Sequence, residues 1–149
     1  MRAVVQRVKK AEVKIDSKVT AKIKAGLLVF LGIGKEDEYQ DADYLLEKII
    51  NLRIFEDEAE KMNLSALDLN KELLLVSQFT LFGDCRKGRR PSFFEAAPPN
   101  EAKKIYNYFV KEAEKSELKI ETGKFQAMMD ISLVNDGPVT MLIDSKKNF

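Results

Sequence analysis

The chain of 149 residues carries 25 Lys and Arg against 24 Asp and Glu, and it contains no His and one Cys. The missing His excludes a Ser-His-Asp triad, a Cys-His pair, an HExxH zinc site and a His general base. One Cys closes no disulfide within the chain and builds no Cys-rich metal site. Any catalysis must therefore use carboxylates, Lys, hydroxyls, backbone groups or the substrate itself.

Length and apolar content predict one domain over residues 1–149 with a core of its own. The longest clean apolar run, residues 25–33, is too short to span a bilayer, and the first seven residues lack a signal-peptide core. A lone thiol, Cys85, points to the cytoplasm. The net charge of +1 argues against a general attraction to nucleic acid but leaves room for a local basic patch.

Alternating apolar and polar residues predict several strands near the start of the chain. The predicted strands are residues 2–8, 11–15, 19–23 and 26–34. Lys9-Lys10 is the expected turn between the first two. The continuous apolar run of the fourth, bounded by Gly, is typical of a strand buried on both faces.

Two later segments have the helical period. Apolar residues recur at helical spacing in residues 39–53, and again after Pro98-Pro99-Asn100, where Asn100 is the predicted N-cap. Further strands are predicted at residues 73–81, 118–121, 131–134 and 139–143. Because hairpin-like neighbours outnumber βαβ units, we expect an α+β fold. Its sheet should be mainly antiparallel and barrel-like, with two principal helices.

Three polar side chains interrupt the end of the apolar strand predicted at residues 73–81. They are Ser77, Gln78 and Thr80, on either side of Phe79. If the second face of the sheet is solvated, these side chains simply contact water. Alternatively, their hydroxyls, amide and backbone N–H groups form the wall of a ligand pocket, which avoids the penalty for unpaired buried polar groups.

A second unusual segment is Asn135-Asp136-Gly137-Pro138-Val139-Thr140. Asp-Gly between two strands predicts a hairpin turn. The following Pro permits a second interpretation, since an X-Pro bond can be cis and Gly has no Cβ. The backbone at this point could then approach a ligand or another subunit closely.

The third segment is a basic loop, residues 86–90. It carries four cations, Arg86, Lys87, Arg89 and Arg90, near the aromatic residues Phe82, Phe93 and Phe94. It is either a solvated loop or a phosphate-contacting surface, because Arg donates bidentately to phosphate and aromatic rings stack on bases.

Taken together, the segments Ser77-Gln78-Phe79-Thr80-Leu81 and Asn135-Asp136-Gly137-Pro138-Val139-Thr140 resemble the D-aminoacyl-tRNA deacylase (D-Tyr-tRNA deacylase) family. The likeness covers nearly the whole chain. It includes residues 1–8, Leu52-Arg53-Ile54-Phe55, Lys61-Met62-Asn63 and Gly88-Arg89-Arg90-Pro91-Ser92-Phe93. One departure is Phe125-Gln126-Ala127, where the family usually has Phe-Gly-Ala. Gln126 therefore adds a side chain at a position where the family has none.

The resemblance implies hydrolysis of the ester that joins a D-amino acid, or glycine, to the 3′-terminal adenosine of tRNA. It implies a homodimer with its active sites at the subunit interface and no metal or organic cofactor. A cis Gly137-Pro138 would reach into the other subunit's site and exclude L-residues, opposite a wall formed by Ser77, Gln78, Phe79 and Thr80. Further candidate binding residues in matching segments are Arg7, Met129, Asn135, Val139 and Thr140. The resemblance implies no membrane association.

An activated ester needs little nucleophilic help, so a chain without His can still hydrolyse it. We expect the N–H groups of Phe79 and Thr80 to form an oxyanion hole and the vicinal ribose hydroxyl to activate water. Thr80 as the nucleophile is the competing hypothesis. Two alternatives outside catalysis stay open: an RNA- or nucleotide-binding module that uses Arg86, Lys87, Arg89 and Arg90, and a structural dimer whose unusual loops are only interface.

Overall fold

The longest early strand, β1 (Arg2–Ile15), organises the sheet in the computed structural model, which describes residues 1–149. Its first half pairs antiparallel with β3 (Gly26–Gly32) and its second half with β2 (Lys18–Ile23). The predicted turn at Lys9-Lys10 is wrong. β1 continues through both residues, which are exposed at the point where the strand changes partners.

The opposite side of β1 pairs antiparallel with β8 (Asp130–Asp144) along most of its length. β6 (Glu72–Ser77) runs parallel to β3, and β7 (Ile120–Thr122) runs parallel to β6. A short separate hairpin joins β4 (Phe55–Glu56) to β5 (Met62–Leu64). The result is a nearly closed, barrel-like mixed sheet. The expected α+β fold is confirmed, with antiparallel pairing around β1 and parallel pairing around β6.

Two helices cover the sheet, α1 (Tyr39–Asn51) and α2 (Pro99–Ala113). Most residues predicted for their apolar faces are buried, and Ile50 and Ile105 are half-buried. The buried ones are Ala42, Leu45, Leu46 and Ile49 in α1, and Ala102, Tyr106, Phe109 and Ala113 in α2. Asn100 is not the N-cap. The N-cap is Pro98, and α2 begins at Pro99, because Pro needs no N–H partner at the first helical position. Neither helix combines the length and the apolar character that a membrane crossing requires.

β3 and β6 are buried on both faces, as the apolar run in β3 predicts. Leu27 and Leu75 belong to the large cluster beneath the helices, whereas Leu28, Leu74 and Val76 belong to a smaller cluster on the other face. Full burial of each such side chain contributes about 1.5–3 kcal/mol. The end of β6 is therefore firmly fixed where it delivers Ser77 to the surface.

Candidate active site

The chain turns sharply at the end of β6. Residues Phe79–Phe82 form one turn of 3₁₀-helix, so the predicted strand over residues 73–81 ends early, at Ser77. The Gln78 N–H donates to the Leu31 carbonyl at 2.7 Å, and the Leu81 N–H then donates back to the Gln78 carbonyl at 3.2 Å. The N–H groups of Phe79 and Thr80 thus precede the first hydrogen bond of the turn.

A cavity of about 780 Å³ opens beside this Phe79–Phe82 turn. Ser77, Gln78 and Phe79 form one edge, and Met129 lies in the lining as well. The other walls are mostly apolar and come from the ends of β3 and β6, the start of α2 and residues 125–128. Thr80 does not line the cavity. Its exposed hydroxyl accepts a hydrogen bond from the Gln78 side-chain amide.

Large apolar side chains stand exposed around the mouth of the cavity. Phe79 is 59% exposed and packs edge-on against Phe93 at 5.1 Å between ring centroids. Met128, which also lines the cavity, is 92% exposed. Phe94, next to Phe93 in sequence but outside the lining, is 73% exposed beneath the Lys35 ammonium. Exposed apolar groups beside a cavity mark a binding surface.

A hydrogen bond joins α2 to β6, two elements that both contribute to the cavity lining. The Tyr106 hydroxyl of α2 donates to the Leu75 carbonyl at 2.9 Å, and its ring lies 5.7 Å from that of Phe125, which lines the cavity. Burial raises the pKa of Tyr106, so this phenol stays protonated as a donor. The Tyr106 hydroxyl therefore holds α2 against β6 and takes no part in acid–base chemistry.

Gln126, the departure from the family pattern, lines the cavity with a left-handed backbone, φ 62°. A left-handed conformation costs an L-residue about 1 kcal/mol, whereas Gly adopts it freely. The extra side chain therefore sits at the cavity on a backbone that suits Gly.

The second segment does not form a hairpin turn, which corrects that prediction. β8 continues through it, because Asn135 and Thr140 both remain paired with β1, opposite Val8 and Gln6. Residues 136–139 loop out between these pairs, and we call them the 136–139 bulge. The Gly137-Pro138 peptide is cis, and Pro suits a bulge in an edge strand because it has no N–H for the ladder.

Arg7 of β1 holds this bulge. Its side chain is 5% exposed, and its Nε donates to the Asp136 carbonyl at 3.2 Å and lies 3.1 Å from the Asp136 carboxylate. Its terminal nitrogens donate to the Gly137 carbonyl at 3.5 Å and the Ile54 carbonyl at 2.5 Å. One buried guanidinium thus joins the bulge to the start of the β4–β5 hairpin.

The two candidate segments do not meet within one chain. Gly137 and Pro138 are exposed, and none of residues 135–140 lines the cavity. Val139 is buried in the core, whereas Asn135 and Thr140 are exposed at the ends of the bulge. The structure therefore brings Ser77, Gln78, Phe79 and Met129 together and leaves the Gly-Pro pair facing outward.

The basic loop is less uniform than its sequence suggests. Arg86 is committed to Asp84 through two side-chain hydrogen bonds of 2.9 and 2.8 Å, and this pairing lowers the pKa of Asp84 to about 2. Lys87, Arg89 and Arg90 are exposed and form no ion pair. Those three charges, rather than four, are free to meet an anion.

Sequence reasoning missed the contribution of α2. Pro98, Pro99 and Ala102 line the cavity. In the sequence, the Pro pair indicated only where a helix begins. It also missed Arg2, whose guanidinium reaches the Leu81 carbonyl. Nothing in the local pattern distinguishes Arg2 from an ordinary charged residue at a strand end.

Comparison with known proteins gives one consistent family. The family model of D-Tyr-tRNA(Tyr) deacylase matches residues 4–144. D-aminoacyl-tRNA deacylases of Thermosipho africanus and Halothermothrix orenii are 64% and 62% identical over the full length of both chains.

Two solved structures share the fold. The c-Myc DNA unwinding element binding protein is 41% identical, with a TM-score of 0.91 over 97% of this chain and 98% of its own. A probable eukaryotic D-amino acid tRNA deacylase superposes with a TM-score of 0.82 over 95% and 97% of the two chains, at 15% identity. From the family match and the full-length relatives, the chain belongs to the D-Tyr-tRNA(Tyr) deacylase family, hydrolases of the ester bond in D-aminoacyl-tRNA.

Proposed function

We propose that this chain removes D-amino acids, and glycine, from the 3′-terminal adenosine of tRNA, and that it rejects L-aminoacyl esters. The main support is the Phe79–Phe82 turn, in which the N–H groups of Phe79 and Thr80 precede the first hydrogen bond and Phe79 lines a mostly apolar cavity. Such a site offers hydrogen-bond donors to a carbonyl oxygen without a side-chain base. It suits an ester that is already activated.

In the proposed reaction, water attacks the ester carbonyl carbon while the N–H groups of Phe79 and Thr80 stabilise the oxyanion. Each such donor is worth a few kcal/mol in the transition state. The vicinal ribose hydroxyl orients the water, accepts its proton and passes its own proton to the departing ribose oxygen as the ester bond breaks.

Thr80 as nucleophile is the competing route. Its hydroxyl contacts the Gln78 amide, which is no base, so nothing beside it can take the proton. We therefore expect Thr80→Val to retain a substantial fraction of the wild-type kcat in a deacylation assay. Complete loss of turnover in a variant with an unchanged thermal transition would instead identify Thr80 as the nucleophile.

We further propose that selectivity comes from the 136–139 bulge of a second copy of the chain. Gly137 and Pro138 project from the surface away from their own cavity, held by Arg7. The nearby part of β8 carries exposed apolar side chains, Val134, Met141 and Leu142, which suit a homodimer interface. A rigid backbone wall beside the substrate α-carbon rejects one enantiomer by clash and lets glycine pass.

The remaining contacts of tRNA are assigned to the basic loop. Lys87, Arg89 and Arg90 are exposed and unpaired, close in sequence to the aromatic side chains at the cavity mouth. These cations would bind phosphates near the acceptor end. No metal or organic cofactor takes part in the proposed reaction, and its proposed location is the cytoplasm.

The deciding experiment compares matched D- and L-aminoacyl-tRNAs, with glycyl-tRNA, and follows release of the free amino acid with and without EDTA. We expect release from the D-ester and the glycyl ester only, at the same rate in EDTA. Loss of activity in EDTA would contradict the metal-free reaction, and release from the L-ester would contradict chiral selection.

A nucleic-acid-binding module is the second candidate, because one structural relative at 41% identity carries the name of a DNA unwinding element binding protein. The unpaired cations of the basic loop are compatible with it. Binding of aminoacyl-tRNA without any release of amino acid would favour this candidate.

A further inference from the structure

Arg2, which plays no part in the reaction described above, lies against the far end of the Phe79–Phe82 turn. Its Nη1 donates to the Leu81 carbonyl at 2.9 Å. It is the only side chain that donates a hydrogen bond to the backbone of that turn. Its guanidinium carbon also lies 4.5 Å from the centre of the Phe82 ring, a cation–π contact.

The other side of the turn rests on glycine backbone at the end of β3. A Cβ added at Gly34 would lie 2.7 Å from the Phe82 ring, and one added at Gly32 would lie 3.0 Å from the Leu81 side chain. The first distance is shorter than real Cβ atoms show, and the second is tighter than nearly all of them. Leu81 and Phe82 are therefore packed directly on the end of β3 and the residues just after it, and Arg2 contacts both of them.

Arg2 is anchored by its backbone pairing and by an ion pair. It is paired in the sheet with Gly32 on one side and Asp144 on the other. Its Nε is buried without a hydrogen-bond partner and lies 3.6 Å from the Asp144 carboxylate, an ion-pair distance; the Asp144 side chain is 3% exposed. Asp144 in turn accepts hydrogen bonds of 2.8 and 2.9 Å from the Lys146 backbone and the Asn148 side chain.

We propose that Arg2 is a positioning residue for the deacylase reaction. It fixes the C-terminal half of the Phe79–Phe82 turn, and through that turn it sets the direction of the Phe79 and Thr80 N–H groups. The inference rests on the proposed function of those groups. Because Arg2 itself does not line the cavity, losing it should lower kcat and leave KM nearly unchanged.

The test compares Arg2→Met, Arg2→Lys and Arg53→Met with the wild type. Arg53 is the matched control, because it also donates to a backbone carbonyl, that of Asn63 at 2.7 Å, but far from the turn in sequence and outside the cavity. We expect Arg2→Met to lower kcat by about ten- to a hundredfold with KM within about twofold, as small misplacement of a catalytic group does. Arg2→Lys keeps a cation opposite Asp144 and should recover part of kcat.

Amide hydrogen exchange supplies a readout independent of activity. The amides of Leu81 and Gly83, which donate to the carbonyls of Gln78 and Thr80 around the turn, should exchange faster in Arg2→Met, whereas those of α1 should not. An unchanged kcat in a folded Arg2→Met would overturn the inference. If Arg2→Met does not fold, Arg2→Lys decides: a lower kcat at an unchanged thermal transition supports positioning, and an unchanged kcat contradicts it. A wild-type chain that releases no amino acid would overturn the proposed function instead.

Discussion

The Phe79–Phe82 turn and the 136–139 bulge are both interruptions of strands, but they are built in opposite ways. The turn follows β6, which is buried on both faces, and it borders a cavity of its own chain. The bulge loops out of β8, is held through Arg7, and turns its Gly-Pro pair to the outside. The first region borders a cavity formed within one chain, whereas the second leaves its Gly-Pro pair exposed.

The largest effect is expected from removing one N–H of the turn. Phe79→Pro deletes that donor at the first helical position, where Pro is tolerated, and Gln78 before it lies outside the α region that a following Pro disfavours, with φ −145° and ψ 83°. Phe79→Ala loses the same ring but keeps the N–H. We expect kcat of Phe79→Pro to be about a hundredfold below that of Phe79→Ala, measured by deacylation. Equal rates in Phe79→Pro and Phe79→Ala would contradict an oxyanion hole at this N–H group.

Gly137→Ala probes the bulge. A Cβ there would meet only the Asn135 amide, at an ordinary 3.5 Å, so the folded chain has room for it. A substrate pressed against this backbone has no such room, and we expect D-substrate kcat/KM to fall about a hundredfold while the thermal transition hardly moves. Ser132→Ala, on an exposed position of the same strand, is the control. A normal rate in Gly137→Ala would contradict the assignment.

Mixing the two damaged chains tests whether the regions meet across subunits. If a site combines the turn of one chain with the bulge of its partner, Phe79→Pro mixed with Gly137→Ala yields one intact site in each mixed dimer. Refolding them together in equal amounts should restore about a quarter of wild-type activity. A mixture no more active than its components, with subunit exchange shown by mass spectrometry, would place both regions in one chain's site.

A smaller effect is expected at the cavity. Gln126→Gly should raise the free energy of unfolding by about 0.5 kcal/mol, because Gly relieves the left-handed backbone at φ 62°. Glu60→Gly is matched, since Glu60 has φ 59° in an exposed turn. We expect both to be stabilised in urea unfolding, but only Gln126→Gly to change KM for bulky substrates. An unchanged KM would mean that the Gln126 side chain does not meet the substrate.

The sequence predicted the regular parts of the fold well, since the apolar period follows directly from burial. The helical faces through Leu45 and Phe109 and the doubly buried β3 are examples. It failed where long-range pairing overrides local chemistry. Lys9-Lys10 and Asp136-Gly137 both look like turns, yet each remains within a strand because residues on either side keep their pairing in the sheet.

The candidate site was likewise predictable from the sequence only in part. The polar residues after β6 were recognisable because they break an apolar run. The cavity itself was not, because its walls come from segments far apart in sequence, such as Ile33, Ala102 and Met129. The contact of Arg2 could not be predicted for the same reason, because its partner Leu81 lies 79 positions away in the sequence.

The continuous pairing of β8 on both sides of the 136–139 bulge restricts how this segment can change length. Asn135 and Thr140 are each tied to β1, so a residue gained or lost between them has to be accommodated within the bulge itself. There Arg7 binds the Asp136 and Gly137 carbonyls, and Val139 is buried in the core. An insertion or deletion would therefore displace the Gly-Pro pair from these contacts, while β8 on either side kept its register.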